Sequence, residues 1–573
     1  MTDTATWGRL QNLLKDEGYL HPEDVRVIRN EQDISPSLKT AIDAAGIHLE
    51  TDTSGNPILL VLEVEQLENN VRLARKPFCN SVQHTSGMHV LVFGPSKGRW
   101  KKSNLIVTIN TIGCQWVGPI SKTPYDLIKK AFDDWQSISS NITFTHVALT
   151  AAAAQIADIK VYFTNNDGTI NNKFGTVGGT VASGGFPDSS DERGLLRFDS
   201  TDLWSDVYRP LLNHNNLYNV ALHELGHVLG LSHSKSQSSI MYPTIDTTAI
   251  GIDPFSIESL RMMYGWKRQP PLTDRGTSDA PALVSYFESR IDGTGSEFVK
   301  MVWKGIGDDH TIYESDLVGG WSPQRVIPGI GSSHSPAITE HLPLGDTASI
   351  PVMAWRGIGS DNSIFWSVFW NNQWTPQTRY AVGTSTRPTL ASVNGKVYIA
   401  WKGLGTDYRI FWAKLNAWTN FGEQQEIGGR GTTDSPALVG MDTKLYMFWK
   451  GLPGDSHIYW AMNDLNGSGL WSEQKAIKYY TPTTTGGRNE FIGTSGGISA
   501  VRYGKNILLA WKGIEDDLAI YVSIMDTSSN EFGGQIQLEF GFGTSTSPSI
   551  LNSLIAWRGT GDDNNIWWAR LQK

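Results

Sequence analysis

The chain has 573 residues and a mass of 63.3 kDa, which is too long for one hydrophobic core and indicates several domains. Its 39% hydrophobic and 18% charged residues are typical of folded proteins, and no apolar run approaches the roughly 18 residues of a membrane-spanning helix. The net charge of −9 gives no electrostatic basis for nucleic-acid binding, and two cysteines, Cys79 and Cys114, exclude a disulfide scaffold.

Residues 1–98 have the pattern of a small α-helical domain. Trp7 and Leu10 begin an apolar repeat at helical spacing, and Ser35 followed by Pro36 is typical of the start of another helix. The N-terminus lacks a basic segment followed by an apolar one, so no conventional signal peptide is visible.

Residues 99–265 mix strands and helices in the manner of one α+β domain. Strands are predicted at 105–109, 142–147, 158–163 and 195–198, and helices at 125–135, 218–229 and 254–263.

Residues 266–573 contain a repeat of Trp-Lys/Arg-Gly, a short Gly/Asp-rich turn and Ile-aromatic. Successive copies are 46 to 62 residues apart, which is the period of a four-stranded propeller blade. The tryptophans of the repeat are Trp303, Trp355, Trp401, Trp449, Trp511 and Trp557. The pattern predicts an all-β propeller of six blades, with an open solenoid as the alternative.

The last copy of the repeat ends one strand short of a blade. Residues 268–277 resemble residues 424–432, which read as the outer strand of an internal blade. We therefore expect the two ends of the propeller to pair and close the ring, which leaves no long exposed edge.

Residues 223–233, HELGHVLGLSH, carry the pattern of a metal site. His223 and His227 are four residues apart and project from one face of a helix, while Gly230 allows the chain to turn so that His233 approaches as a third ligand. Three imidazoles leave a fourth position on zinc for water, as in catalytic zinc sites. Glu224 is placed to take a proton from that water and to deliver it to a leaving amine.

This motif, followed by Met241-Tyr242-Pro243, resembles the metzincins and specifically the matrixins, the matrix-metalloproteinase family. The resemblance extends over residues 99–265. It implies a zinc endopeptidase that acts on protein substrates, with Met241 as the Met-turn, an apolar floor beneath the metal.

The resemblance also bears on further metals. Matrixins usually bind a second, structural zinc through histidines, but Asn166, Ser183 and Arg197 stand at those positions, so one catalytic zinc is predicted. Asp199 and Asp202 match family calcium ligands, whereas Gly175 replaces an expected aspartate; ordinary solvated carboxylates are the alternative.

Cys79, in the segment RKPFCN just before the catalytic domain, resembles the matrixin cysteine switch. A propeptide thiolate on the zinc would displace the catalytic water and keep the enzyme latent. The family's Arg-Cys-Gly context is absent. A buried thiol and a disulfide between Cys79 and Cys114 are the alternatives.

The repeat resembles lectin-type propellers of fungi and bacteria, which bind sugars between blades. This implies that the repeated tryptophans stack on sugar rings, while the alternative for each is packing inside a blade. A ring of weak sites would gain avidity.

We therefore expect a latent zinc endopeptidase with prodomain 1–98, catalytic domain 99–265 and propeller 266–573, the propeller binding glycans or glycoproteins. The alternative is a multivalent carbohydrate-binding protein with a secondary or inhibited protease domain. The resemblance implies action outside the cell, and cytoplasmic storage is the alternative because no leader is visible.

Overall fold

The computed structural model describes most of the chain from residue 98 onward and parts of the residues before it. The described residues are 4–16, 20, 35–44, 47, 50–51, 57–58, 64, 98–139, 141–167, 174–175, 180–189, 191–207, 214–234, 238–242, 251–289, 295–342, 348–416, 419–467, 469–483, 486–538 and 541–572. They form two compact units, one up to Glu258 and one from Ser259 onward. No helix within these ranges is long and apolar enough to cross a membrane.

The first unit contains helices and short strands in mixed order. Its helices are α1 (Thr4–Asp16), α2 (Pro36–Ala44), α3 (Pro124–Gln136), α4 (Ala151–Ile156), α5 (Leu217–Val228) and α6 (Pro254–Tyr264), the last of which continues into the second unit. Its strands are β1 (Glu50–Thr51), β2 (Pro57–Ile58), β3 (Asn104–Ile109), β4 (Gln115–Trp116), β5 (Thr143–His146), β6 (Ile159–Thr164), β7 (Ala182–Gly184), β8 (Leu195–Asp199), β9 (Leu203–Ser205) and β10 (His214–Asn216).

Five of these strands form the main sheet, in the order β5-β3-β6-β8-β7. The first four are parallel and β7 runs antiparallel to β8 at the edge. Helices α3 and α5 pack on one another. The predicted strands and helices of this region are all present, within one or two residues of the expected ends.

The helix starts follow from side-chain capping. Ser35 accepts the backbone N–H of Leu38 at 3.1 Å, which confirms the predicted start of α2. Thr123 caps α3 in the same way, with Pro124 at its first position. Thr150 caps α4, a helix of six residues. None of its side chains is buried, so the sequence has no apolar periodicity that would predict this helix.

The second unit is a propeller whose strands follow in chain order. They are β11 (Trp266–Arg268), β12 (Leu272–Gly276), β13 (Ala282–Ser289), β14 (Gly295–Lys304), β15 (Thr311–Val318), β16 (Gly320–Trp321), β17 (Arg325–Gly331), β18 (Ala337–His341), β19 (Ile350–Arg356), β20 (Ser363–Trp370), β21 (Gln373–Trp374), β22 (Thr378–Gly383), β23 (Thr389–Val393), β24 (Lys396–Lys402), β25 (Arg409–Asn416), β26 (Asn420–Phe421), β27 (Gln425–Gly431), β28 (Ala437–Met441), β29 (Lys444–Lys450), β30 (Ile458–Asp464), β31 (Lys475–Ala476), β32 (Lys478–Thr483), β33 (Gly486–Phe491), β34 (Ile498–Tyr503), β35 (Asn506–Lys512), β36 (Ile520–Asp526), β37 (Glu531–Phe532), β38 (Ile536–Gln537), β39 (Ser549–Leu551), β40 (Leu554–Arg558) and β41 (Asn565–Leu571).

These strands build six blades, whose inner strands are β13, β18, β23, β28, β34 and β39. Consecutive inner strands contact one another, and β39 contacts β13, so the ring is closed. The pairing of β11 and β12 with β41 supplies the strand that the last blade lacks, which confirms the predicted closure. The hairpin β32–β33 follows β31 of the fourth blade in the chain, forms a separate two-stranded sheet and accounts for the 62-residue interval between Trp449 and Trp511.

The repeated residues hold each blade together. The side chain of Lys402 donates to Ser385 Oγ and to the carbonyls of Gly403 and Gly405, the latter at 2.7 Å, so it fastens the turn that follows its own strand. Lys304 and Lys512 make the equivalent bonds in two other blades. The lysine of the repeat thus binds the backbone carbonyls of its own turn and the serine hydroxyl beside it.

The aspartate of each turn has a separate role. Asp309 accepts the backbone N–H of Thr311 and the hydroxyl of Tyr313, and it therefore joins the turn to the start of the next strand. Asp455 and Asp517 repeat this arrangement. The repeat is consequently a folding unit, in which the Lys, Asp and aromatic positions each satisfy polar groups of one turn.

Candidate metal centre

The site is built on α5 and on the turn that ends this helix. Asn216 caps the first turn of α5, and Leu229 is its C-cap. The next residue, Gly230, has φ +106, a conformation that a side chain disfavours. The N–H of Gly230 donates to His227 O and that of Leu231 to Gly226 O, both at 2.9 Å, which is the Schellman arrangement of a helix end. The predicted break at Gly230 is present.

This turn brings three imidazoles together. The Nε2 atoms of His223 and His227 are 3.1 Å apart, and those of His223 and His233 are 3.3 Å apart. Three nitrogens that bind one tetrahedral zinc at about 2.0–2.1 Å lie about 3.3–3.4 Å from one another. The spacing of the three nitrogens therefore fits a single zinc ion.

The protonation of these rings also requires a cation. His223 Nδ1 lies 2.7 Å from Ile240 O, and His227 Nδ1 lies 2.7 Å from Leu231 O. Because a carbonyl can only accept, each Nδ1 carries the hydrogen and each Nε2 of a neutral ring presents a lone pair. Burial lowers the pKa of His223 to about 4, so a proton does not bridge the pair at neutral pH. Two facing lone pairs call for a metal ion.

Glu224 lies between these ligands on α5 and is buried. The edge strand β7 passes close to this part of the helix, because a Cβ on Gly184 would overlap the carbonyl of Glu224. The edge of the main sheet thus adjoins the metal centre. The edge strand spans residues 182–184, and residues 176–179 lie outside the described part of the chain.

Met241 lies against the helix that carries the ligands. Its side chain is fully buried, and a Cβ on Gly226 would overlap its sulfur. The backbone of Met241 accepts the N–H of Ser234, one residue after His233. The side chain of Met241 is thus an apolar thioether packed against the helix that carries His223 and His227.

One of the positions at which matrixins have a histidine ligand of the structural zinc carries an arginine here. Arg197 on β8 is buried beside Ser183 on β7, its Nε donates to Tyr162 Oη at 2.7 Å, and its Nη1 pairs with Glu192. A guanidinium and three zinc ligands cannot share this space. These residues do not fit a second zinc.

Asp199 and Asp202 form a pair of buried carboxylates. Asp199 accepts the N–H of Gly175 at 2.6 Å and the N–H and hydroxyl of Thr201, whereas Asp202 Oδ2 is buried and no donor reaches it among the described residues. Burial, together with the neighbouring Asp199, raises the pKa of Asp202 to about 7. The two acids are therefore not ordinary solvated carboxylates, and the orphaned oxygen is suited to a cation.

The cysteines are placed differently from one another. Cys79 lies outside the described residues. Cys114 is a free, half-buried thiol, and burial raises its pKa to about 12. Cys114 is therefore a poor thiolate and a poor metal ligand at neutral pH.

The repeated tryptophans lie inside the blades. All six are at most 1% exposed: Trp303, Trp355, Trp401, Trp449, Trp511 and Trp557. Buried rings offer no face to a sugar, so the expectation that these residues stack on glycans is wrong and their role is blade packing. The repeat period gives the positions of these tryptophans in the chain, but it does not show whether both faces of each ring are buried.

Two tryptophans that contact the helix of the metal centre were not predicted from the sequence. Trp135 Nε1 donates to Leu222 O at 3.0 Å, and Trp100 Nε1 donates to Val228 O at 2.8 Å, so two indoles hold the backbone of α5 at either end of the ligand segment. Both tryptophans are far from the His-Glu motif along the chain, so no pattern near them in the sequence predicts the contact. Within the described ranges, His223, His227 and His233 are the one group of three metal-binding side chains that converge.

The part of the chain that carries the three histidines is also similar in sequence to known proteins. Residues 99–265 match the sequence model of the family Matrixin. Interstitial collagenase of Sus scrofa is 33% identical over 181 residues, which are 31% of this chain and 35% of that protein. Macrophage metalloelastase of Rattus norvegicus is 30% identical over 276 residues, 47% of this chain and 52% of that protein. Matrix metalloproteinase-16 of Homo sapiens is 25% identical over 274 residues, 46% of this chain and 42% of that protein. The matched segments thus span a third to a half of these relatives.

Proposed function

We propose that this chain, whose residues 99–265 form a matrixin domain, is a zinc endopeptidase that hydrolyses internal bonds of protein substrates. The convergence of the Nε2 atoms of His223, His227 and His233, the first two on rings whose Nδ1–H groups are held by carbonyls, carries this proposal. The match of this segment to the matrixin family supports it independently.

His223, His227 and His233 hold the metal. When bound, zinc supplies Lewis acidity toward a water and toward the scissile carbonyl. The carboxylate of Glu224, buried next to His223, takes the proton of the attacking water and passes it to the nitrogen of the departing amine. Burial of Glu224 and the ligands keeps bulk water away from this proton transfer.

Strand β7 orients the substrate in this proposal. Its antiparallel partner β8 occupies one side, and β7 is the terminal strand of the sheet order among the described residues. An extended peptide that adds to this edge would lie along the helix that carries Glu224, because β7 packs against that residue at Gly184. A substrate bound in this way is an extended segment rather than a helix.

The test is peptide hydrolysis by the chain after removal of residues 1–98, with wild type and Glu224→Gln compared. We expect Glu224→Gln to lose activity by about 10²–10⁴-fold, since a general base is removed, and to keep zinc. Asp126→Asn, an exposed acid at the start of α3, is the matched control and should retain full activity. Equal hydrolysis by wild type and Glu224→Gln would refute the proposal.

Latency is the regulatory part of the proposal. We propose that residues 1–98 form a prodomain in which the Cys79 thiolate binds the catalytic zinc. The free state and high pKa of Cys114 support Cys79 as the thiol concerned, since Cys114 neither forms a disulfide nor ionises readily. The domain boundaries at 98/99 and 265/266 belong to the same proposal.

A calcium ion held by Asp199 and Asp202 is proposed for the matrixin domain. The Asp202 Oδ2 atom that no donor reaches among the described residues supports it, and so does the raised pKa of Asp202, which results from burial and then from the neighbouring Asp199. The two carboxylates supply part of the six to eight oxygen ligands that calcium takes.

Glycan binding by the propeller is a second proposed function. The buried tryptophans of the repeat take no part in it. A pocket of about 550 Å³ between the first and second blades is lined by Ile358, Asp361 and Phe365. Asp361 accepts the N–H of Ser363, and Phe365 stands where other blades have the tyrosine that donates to the turn aspartate. An aromatic side chain beside a carboxylate suits a sugar.

Glycan-array binding of the full chain tests this second function. Asp361→Asn and Phe365→Ala should each reduce binding, and Asp562→Asn, an exposed turn acid of the sixth blade, should not. Binding that is absent from wild type, or equal in all four proteins, would contradict it. We also propose that the enzyme acts outside the cell, and fractionation of producing cells and their medium tests this.

A further inference from the structure

The Met-turn is fixed by one carboxylate that precedes α6. Asp253 Oδ2 accepts the N–H of Ile240 at 2.9 Å, the hydroxyl of Ser239 at 2.9 Å and the hydroxyl of Ser256 at 2.6 Å. Ser239 and Ser256 are fully or almost fully buried, so these bonds are protected from water. One oxygen atom thus gathers three donors from two segments.

The other oxygen of the same carboxylate caps α6. Asp253 Oδ1 accepts the N–H groups of Phe255 and Ser256 at 3.0 and 3.1 Å, which are the donors at the start of that helix. The two oxygens therefore have separate tasks. Oδ1 begins the helix and Oδ2 holds residues 239–240.

Residues 239–240 in turn hold a metal ligand. Ile240 donates its N–H to Asp253 and accepts Nδ1–H of His223 through its carbonyl at 2.7 Å. The hydroxyl of Ser239, which donates to Asp253, also accepts the N–H of Met241 at 3.2 Å. A continuous set of hydrogen bonds therefore runs from Asp253 through one peptide segment to the ring of His223.

We propose that Asp253 is a positioning residue for the metal centre: through Ile240 it fixes the direction in which His223 Nε2 points. Partners of this kind orient the ligand ring, and their loss typically weakens metal affinity by about 10–100-fold. The proposal rests on the zinc site of the proposed function and adds to it a residue remote from the His-Glu motif in sequence.

The substitution Asp253→Asn separates the two tasks of the carboxylate. Asparagine keeps an oxygen that can cap α6, and it is as good a capping residue as aspartate. Its amide nitrogen cannot accept the N–H of Ile240, so the bond to the turn is lost. The matched control is Asp126→Asn, which neutralises a carboxylate in the first turn of α3 without touching the metal centre.

The experiment measures the zinc dissociation constant of the full chain by chelator competition, and the visible spectrum of the cobalt-substituted protein. We expect Asp253→Asn to bind zinc about 10–100-fold more weakly and to show altered cobalt bands, with thermal unfolding of the metal-free protein close to wild type. A merely structural role would lower the stability of the metal-free protein and leave the cobalt spectrum unchanged.

Zinc affinity of Asp253→Asn within twofold of wild type would overturn the proposal. If this variant does not fold, Ser239→Ala, which removes one link of the set, decides instead: weaker zinc binding supports the proposal and unchanged binding overturns it. Absence of zinc binding by wild type would refute the proposed enzyme, whereas equal binding by wild type and Asp253→Asn refutes the positioning role alone.

Discussion

The sulfur of Met241 occupies the space beside Gly226 that a side chain at this position of α5 would need. Gly226 lies between the two helical ligands His223 and His227, so its missing side chain allows the Met-turn to approach the helix directly beneath them. The close packing of helix and turn is what lets residues 239–241 act on the ligands at all.

Gly226→Ala should therefore disturb the metal centre. The added methyl group overlaps a fully buried sulfur, and such overpacking typically costs about 1–3 kcal/mol. Thermal unfolding and zinc affinity measure the effect, and both should fall. Gly8→Ala on α1, where a Cβ meets nothing within 4 Å, is the control and should be neutral or stabilising. If Gly226→Ala binds zinc as tightly as wild type, the contact between Met241 and α5 does not affect the metal ligands.

The buried tryptophans should govern the stability of the propeller. Trp355→Ala removes a side chain that is 0% exposed, and we expect a loss of about 3–5 kcal/mol in the free energy of unfolding. Trp370→Ala, at a position 54% exposed on the following strand, should cost less than about 1 kcal/mol. Denaturant titration of the two variants checks this. Equal losses would mean that the repeat tryptophans do not form the blade cores.

The repeated lysines should matter as hydrogen-bond donors. Lys402→Met keeps the apolar stem but removes three bonds to Ser385, Gly403 and Gly405, which leaves buried acceptors unsatisfied at a cost of about 1–3 kcal/mol. Lys414→Met, at an exposed position on the next strand of the same blade, is the matched control. An unchanged unfolding midpoint for Lys402→Met would contradict this role of the lysine.

Latency should depend on one of the two cysteines. Cys79→Ser in the full chain should release peptidase activity without cleavage, because a hydroxyl does not replace a thiolate on zinc. Cys114→Ser should stay latent, since its thiol is free and burial raises its pKa to about 12. Activity measured before and after removal of residues 1–98 distinguishes the two. A latent Cys79→Ser enzyme would argue against the switch.

Calcium should stabilise the matrixin domain through Asp202. A chelator selective for calcium should lower the unfolding temperature of wild type by several degrees, as the two buried carboxylates then repel one another. Asp202→Asn relieves that repulsion, so its unfolding temperature should respond much less to the chelator. Identical responses of wild type and Asp202→Asn would exclude a calcium ion at this pair.

The sequence was most informative where structure is local. The spacing of His223, His227 and His233 depends on one helix and one glycine turn, and both follow from rules that act over a few residues. Ring closure was also accessible, because the strand missing from the last repeat could be recognised by comparison with an internal one.

Long-range relations were not accessible in the same way. Trp100, Trp135 and Asp253 reach the ligand helix or its supporting turn from outside the motif, and nothing near them in sequence marks that contact. The role of the repeat tryptophans was mistaken for a related reason. A fixed period gives the place of a residue in its blade, whereas its exposure depends on the neighbouring blade that packs over it.

Anomalous scattering at the zinc edge, from crystals of the full chain, tests the central claim most directly. The account predicts one peak among His223, His227 and His233, at about 2.0–2.1 Å from each Nε2, and no second zinc beside Arg197. No peak among the three imidazoles, or rings that point away from a common centre, would contradict it.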